Sequence, residues 1–326
     1  MTSRAFGRRT VLVTGASGFV GVNLARRLAA EGEEVHCVVR PGHHRWRLTG
    51  MLSEVHLHEI DLSDHASVAA LASTLAPYWV FHCAAYGAYP EQDDFWCAFS
   101  TNVVDTLSLI QCCTRAGARA IVHAGSSSEY GVKDHAPDES EALAPNSAYA
   151  ATKAAATLLL RYLTEHGDAP VTVLRLYSVY GPWERPTRLV PTVLSAAAHG
   201  RWPPLAEAET ARDFVYVDDV VEAMLAVARQ GRPSHHGSVF NVGTGRQTTL
   251  SDLIEVVKRM FTVDAEPAWS EANRRPWDCT TWVADSKRIA SEVGWAPRTD
   301  LADGLMAMYE WMQSSPRIRR MYGLQM

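Results

Sequence analysis

The sequence predicts an α/β protein built on a doubly wound parallel sheet. Three observations carry this. Short apolar runs of strand length alternate with helix-length amphipathic stretches through residue 176, the pattern that puts helices on both faces of a parallel sheet. The first run, Thr10-Val11-Leu12-Val13-Thr14, enters Gly15-Ala16-Ser17-Gly18-Phe19-Val20-Gly21, and a helical pattern follows to about Ala30. Later runs end in small or hydroxylated residues, Cys83-Ala84-Ala85 and then Gly125-Ser126-Ser127-Ser128. An open parallel sheet forms its ligand crevice at those strand ends.

Composition limits the function. The chain has 326 residues, 47% apolar and 21% charged, which suits a soluble globular protein of one large or two moderate domains. A net charge of −5 argues against nucleic-acid or membrane-surface binding, either of which needs a basic excess. The six cysteines, Cys37, Cys83, Cys97, Cys112, Cys113 and Cys279, include no C-x-x-C pair, and several fall in apolar runs. The short basic start, Met1 to Arg9, has no signal-type apolar core, and no run approaches the ~20 apolar residues of a membrane span. A cytoplasmic protein is expected.

The G-x-x-G-x-x-G turn between strand and helix allows close backbone approach and presents helix N–H groups to a pyrophosphate, so dinucleotide binding is expected. Gly15, Ser17, Gly18, Phe19, Val20 and Gly21 are its candidate residues. The second strand, Glu34 to Arg40, ends in Val39-Arg40, with Arg45 and Arg47 beyond. NAD calls for a carboxylate there and NADP for a basic residue, so Arg40 points to NADP(H), with NAD the alternative. A third strand, Glu54 to Ile60, ends at Asp61-Leu62, where a carboxylate could accept from the adenine amino group or cap the helix that runs from about Asp64 to Leu75. Tyr78 to His82 is a fourth strand; the small residues Ala84 and Ala85 after it leave room for a cofactor.

A long helix is expected over Asp94 to Ala116, with Asn102 in its middle bonded to backbone. The fifth strand, Ala118 to Ala124, leads to Ser126-Ser127-Ser128-Glu129-Tyr130-Gly131. Hydroxyls at that edge can bind a reacting alcohol oxygen, although a serine cluster alone is ordinary turn chemistry. The helix from Asn146 to His166 carries Tyr149 and Lys153, one turn apart on one face. A neighbouring cation favours the ionised form of a phenol, which can then exchange a proton with a hydroxyl.

The series T-G-A-S-G-F-V-G, H-C-A-A, G-S-S-S-E-Y-G and Y-A-A-T-K resembles the extended short-chain dehydrogenase/reductases that act on nucleotide sugars. The resemblance continues through R-L-Y-S-V-Y-G-P (Arg175–Pro182), R-D-F-V-Y-V-D-D (Arg212–Asp219), F-N-V-G-T-G (Phe240–Gly245), A-D-S-K (Ala284–Lys287) and G-W-A-P (Gly294–Pro297). It implies a Rossmann domain over residues 1–176, with 213–242 returning to it, and a nucleotide-sugar-binding lobe over 177–212 and 243–326.

By the same resemblance Ser127, Tyr149 and Lys153 are the catalytic set. Tyr149 is the acid/base; Lys153 orients the nicotinamide ribose and lowers the tyrosine pKa. Tyr177 and Val179 join the cofactor residues. Glu129 lies like the proton-abstracting Glu of nucleotide-sugar 4,6-dehydratases, yet S-S-x-E-Y-G is also the form of 4-keto-6-deoxysugar reductases, and pairing with a basic neighbour is a further possibility. Ser128, Ser178, Arg188, Arg212, Arg274 and Arg275 are expected at the substrate, the arginines at its diphosphate. Ser178 departs from the usual Asn.

Asp218-Asp219 reads as a helix start. His43-His44, His56/His58 and His235-His236 lack the neighbouring set of a zinc site, so no metal is expected. The helices Asp94–Ala116 and Asn146–His166 carry much apolar surface, and the resemblance implies a homodimer in which they pair as a four-helix bundle. The expected activity is an NAD(P)-dependent nucleotide-sugar epimerase or dehydratase passing through a keto intermediate. An NADPH-dependent 4-keto-6-deoxysugar reductase is the alternative, and a non-catalytic dinucleotide sensor the third reading.

Overall fold

The computed structural model describes residues 8–273 and 278–324. In chain order the elements begin with β1 (Thr10–Thr14), α1 (Phe19–Ala30), β2 (Glu34–Val39), β3 (His56–Glu59), α2 (His65–Leu75) and β4 (Trp79–His82). Next come α3 (Phe95–Phe99), a π-helical segment (Ser100–Asp105), α4 (Thr106–Arg115), β5 (Ala120–Ser126), α5 (Ala148–Gly167) and β6 (Val171–Leu176). The remainder is β7 (Ser178–Tyr180), α6 (Leu189–Ala197), β8 (Ala211–Arg212), β9 (Phe214–Tyr216), α7 (Val217–Gln230), β10 (Val239–Val242), β11 (Thr248–Thr249) and α8 (Leu250–Met260). The chain then runs through α9 (Lys287–Val293), α10 (Leu301–Gln313) and α11 (Pro316–Met321).

Seven strands form one sheet in the order β10-β6-β5-β4-β1-β2-β3. Strands β2 to β5 join β1 in parallel register, Val13 opposite Cys37 and Phe81, and Phe81 opposite Val122. Reversal of strand order at β1 and β4 is the doubly wound pattern expected from the sequence. Parallel strands covered on both faces must be apolar throughout, and Val11, Leu12, Val13, Val80, Phe81, Ile121 and Val122 are all buried.

The chain divides into two compact units: Met1–Gly125 with Ala148–Leu174 and Met224–Val239, and Ser126–Ser147 with Arg175–Ala223 and Phe240–Met326. In the first, Leu12, Val38, Val68, Val80, Ile110, Ile121, Leu160 and Val173 build the core. The second has its own core of Tyr180, Val190, Leu194, Phe214, Leu253, Ile254, Leu305 and Met308. Its amphipathic helix α8 starts from a capping box in which Thr249 and Asp252 satisfy each other's backbone N–H.

Two expectations change. Phe214 to Val217 does not return to the main sheet. Strand β9 pairs in parallel with β7, Val215 opposite Val179, and 213–223 groups with the second unit, as does 126–147. Met224–Val239 groups with the first unit, and β10 lies beside β6 at the sheet edge. The long helix over Asp94–Ala116 is broken by the π-helical segment, which holds Asn102. Its Oδ1 accepts from the Tyr86 N–H at 2.8 Å, and its Nδ2 donates to the Tyr86 carbonyl at 2.8 Å and to Thr152 Oγ1 at 2.9 Å. One buried amide thus fastens the chain after β4 to the first turn of α5. Replacing Asn102 with alanine takes the partner from the Tyr86 N–H and carbonyl, while Thr152 Oγ1 keeps its bond to the Tyr149 carbonyl at 2.9 Å, so the free energy of unfolding should fall by about 2–3 kcal/mol in a urea titration.

Candidate functional site

At the first βα turn the glycines are sterically required. Gly15 has φ +66°, and a Cβ there would lie 2.5 Å from the Ala84 nitrogen. A Cβ on Gly21 would lie 2.3 Å from the Gly15 oxygen. No other residue type fits this approach of the turn to the end of β4. Gly18 caps α1 without a side chain, and Phe19 and Val20 open the helix, so its first N–H groups face outward bare of any capping side chain. That cradle fits a dinucleotide pyrophosphate.

Arg47 is buried and donates from Nη1 to the Ser17 carbonyl at 3.2 Å, fixing a guanidinium beside the glycine turn. Arg40 is exposed just past β2. Asp61 is exposed; its Oδ1 accepts from the Ser63 N–H at 3.0 Å and from the Ser63 hydroxyl at 2.8 Å. Those bonds, then Arg40, hold its pKa below the ordinary value. Asp64, not Asp61, caps α2. Leu62 packs against the core, while Ala84 is half-buried and Ala85 exposed.

On α5, Tyr149 and Lys153 stand one turn apart. A Cβ added to Gly87 would lie 3.3 Å from both Cβ and Cδ2 of Tyr149, so the tyrosine rests on the backbone beyond β4. Lys153 is 1% exposed. Its Nζ donates to the Ala124 carbonyl at 2.6 Å and to His123 Nε2 at 3.0 Å. The His123 ring lies 5.0 Å from that of His82, whose Nδ1 meets Thr14 Oγ1 at 2.6 Å and whose Nε2 meets Thr106 Oγ1 at 2.8 Å. Burial, then the Lys153 charge, pushes His82 down to about 3 and His123 well below its ordinary value. Both imidazoles are therefore neutral, and the ammonium is the cation of this cluster.

In the second unit, the serine turn after β5 is a capping box. Ser126 Oγ accepts from the Ser128 N–H at 3.2 Å, and Glu129 Oε1 from the Ser126 N–H at 2.9 Å. Glu129 Oε2 pairs with Arg175 Nε at 2.9 Å, both residues buried. The Arg175 guanidinium covers the Tyr130 ring at 4.5 Å. Of the readings left open for Glu129, pairing with a basic neighbour is the one seen here: both its oxygens are engaged, and freeing either would leave a buried charge unpaired. Ser128 spends its hydroxyl on Ser126 Oγ at 2.7 Å. Ser127 and Tyr177 are buried and line a small cavity with Trp282.

A larger cavity of about 160 Å³ lies wholly in the second unit. It brings together Ser178, Val179, Arg188 and Arg212 with Glu184, Asn273 and Asp278. Val179, expected at the cofactor, is among the residues that line this cavity. Arg212 donates from Nη1 to the Ala211 carbonyl at 2.6 Å and pairs through Nη2 with Asp278. Neighbouring Asp213 is fully buried and accepts from Thr244 N and Oγ1, Gly245 N and Ala284 N, between 2.6 and 3.0 Å. Arg188 sits at the N-terminus of α6 with its Nε 3.7 Å from Glu184 Oε1. Arg274 and Arg275 lie outside the described residues.

A family profile described as "NAD dependent epimerase/dehydratase family" matches residues 11–243. The chain is 31% identical to the UDP-glucose 4-epimerase of Mycolicibacterium smegmatis, over 93% of this chain and 98% of that protein. The chain belongs to the NAD dependent epimerase/dehydratase family. It is also 30% identical to the dTDP-glucose 4,6-dehydratase of Streptomyces griseus, over 92% of this chain and 93% of that one. The solved structure of MoeE5 in complex with UDP-glucuronic acid and NAD is similar at TM-score 0.81 and 30% identity, over 94% of this chain and 99% of that chain. This chain spans about half the length, 47% and 48%, of two trifunctional Arabidopsis thaliana relatives that include a UDP-glucose 4,6-dehydratase.

Within this epimerase/dehydratase member, sequence reasoning missed His82 and His123, whose only signal was a polar residue inside each of two apolar strands. It also missed Glu184, four residues before Arg188, and Asn273 and Asp278, which come to the same cavity from a distant segment and share no motif with the two arginines. The two buried imidazoles bind protons more weakly in the folded chain than in the unfolded one. Between about pH 6.5 and about pH 3 the unfolded chain therefore holds more protons, and stability falls as pH drops through that window. Denaturant titrations from about pH 8 to about pH 4 should show this loss, with a shallower acid limb in His123→Asn.

Proposed function

We propose that this chain is an NAD(P)-dependent nucleotide-sugar epimerase/dehydratase in which Tyr149 is the acid/base. The observation that carries the reading is the tyrosine and lysine one turn apart on α5, the lysine fixed to the Ala124 carbonyl at 2.6 Å. Tyr149 takes the proton of a sugar hydroxyl and returns it. Lys153 supplies the positive charge that favours the phenolate and orients the cofactor ribose. Ser127 binds the reacting oxygen, while Arg188 and Arg212 hold the diphosphate in the 160 Å³ cavity beside Ser178. A bound nicotinamide supplies a hydride acceptor for the same sugar carbon.

With Glu129 held by Arg175, dehydration lacks the carboxylate base it was expected to use, which favours the epimerase arm. The ketoreductase reading is second, supported by Arg40 and Arg47 near the expected cofactor end of β2. The same two arginines, and the lack of a carboxylate in Val39-Arg40, support NADP(H) over NAD(H), although NAD is named in the MoeE5 complex. For a second copy of the chain as partner, the support is the exposed apolar side chains of α3 and α5: Trp96 is 73% exposed, Leu158 56% and Tyr162 56%. Among the described residues no helix is long and apolar enough to cross a membrane. All six cysteines are free thiols, and we place the protein in a reducing cytosol.

Incubation with UDP-, GDP-, CDP- and dTDP-sugars, followed by chromatography and mass spectrometry, should reveal a mass-neutral isomer. Gain of two hydrogens would instead favour the reductase. Tyr149→Phe should lose at least about 10²-fold in turnover and retain cofactor binding; unchanged turnover would end the acid/base assignment. In calorimetry NADP(H) should bind at least about 10-fold tighter than NAD(H), and Arg40→Ala with Arg47→Ala should erase the difference. Sedimentation should show a dimer that Leu158→Glu with Tyr162→Glu converts to monomer.

A further inference from the structure

We propose that Glu34, His36 and His56 form a binding site for a divalent transition-metal ion, zinc foremost, on the β2–β3 edge of the sheet. The site is built by register. Strands β2 and β3 pair in parallel with His36 opposite His56 and Val38 opposite His58. Residues two apart on a strand share a face, so Glu34 and His36 project on the same side as His56 and His58. The four side chains are scattered in the sequence and adjacent only because of this pairing.

The ligand atoms are already close. Glu34 Oε1 lies 3.7 Å from His36 Nε2 and 3.9 Å from His56 Nε2, and the ligand atoms of all three residues fall within 4.8 Å of one another. Two ligand atoms each about 2.0–2.1 Å from a tetrahedral ion are separated by about 3.4 Å. Closing the gap takes a modest swing of His56, whose side chain is 55% exposed and able to move.

His36 gives the independent indication. Its side chain is only 9% exposed, yet its Nε2 is buried with no hydrogen-bond partner. A buried, unpartnered ring nitrogen costs free energy unless something occupies it. Its other nitrogen, Nδ1, sits 2.9 Å from His58 Nε2. A ligating imidazole characteristically donates its second N–H to an acceptor, and His58 fills that place here. Glu34 is oriented in the same way: its Oε2 accepts from Thr10 Oγ1 at 3.2 Å, which turns Oε1 toward the imidazoles.

The donor set selects the ion. Two imidazoles and one carboxylate suit zinc, cobalt, nickel or copper; magnesium and calcium take oxygen ligands. Three protein ligands leave a fourth position for water. The His36 ring stacks on His56 at 4.6 Å and on His58 at 5.2 Å. A bound ion would clip the outermost strand, β3, to β2. It stands apart from the glycine cradle, because Glu34 opens β2 and the cofactor is expected at its other end.

The test uses the full chain, freed of metal with a chelator and dialysed. Titration with zinc chloride in a calorimeter should give one equivalent bound, and cobalt(II) should give the visible absorption of a low-coordinate N/O site. His56→Gln and His36→Gln should each weaken zinc binding at least 10-fold, and His44→Gln, in an exposed neighbouring pair, should leave it unchanged. His56 is exposed, so its variant reads the site even where His36→Gln folds poorly. NADPH binding, followed by fluorescence, should be the same with and without zinc. Absence of a zinc isotherm, an isotherm unchanged by His56→Gln, or equal competition by magnesium would each overturn the proposal.

Discussion

A buried ammonium governs the first unit. An amine that leaves water must find acceptors, and Lys153 finds the Ala124 carbonyl and His123 Nε2. Those two bonds tie the first turns of α5 to the end of β5, and Asn102 ties the same turn to the segment after β4 through Thr152. Tyr149 is thereby held on a helix face that cannot rotate without stripping a buried charge. His123 accepts from the ammonium and His82 lies beyond, and neither competes, because each would pay too much in desolvation to carry a second proton beside that charge. Rigidity at the tyrosine follows from where the lysine is allowed to be.

The second unit solves a different problem with the same physics. Arg175 and Glu129 bury opposite charges together, and Asp213 buries a carboxylate among four donors from two separate loops. Isolated charges in such surroundings would be destabilising, whereas fully bonded ones fix the loops that carry them. Arg212 precedes Asp213 in the chain and lines the cavity. The acidic residue in this pair holds the loops, and the basic one faces the open space.

Much of this was legible in the sequence. Strand order through β6, the glycine turn, the tyrosine–lysine helix and the structural role of Asn102 all follow from local pattern, because parallel strands and their turns impose their own spacing. What escaped was set by pairing across the fold. Phe214–Tyr216 looks like a strand of the main sheet but finds β7 as its partner. Glu129 reads as chemistry in its motif and turns out to be occupied by Arg175, a residue 46 positions away. Glu34, His36 and His56 have no sequence signature at all, since only the β2–β3 register makes them neighbours.

The anchoring of Asp213 has an evolutionary corollary. Because the backbone of Thr244, Gly245 and Ala284 is pinned by a single carboxylate, the wall residues Pro204 and Ala206 are relieved of holding those loops in place. They can be exchanged for side chains of other size and polarity while the frame stays put. Descendants of one ancestral chain could so drift between ligands by repainting a few interior surfaces, with the helix of Tyr149 and Lys153 inherited intact.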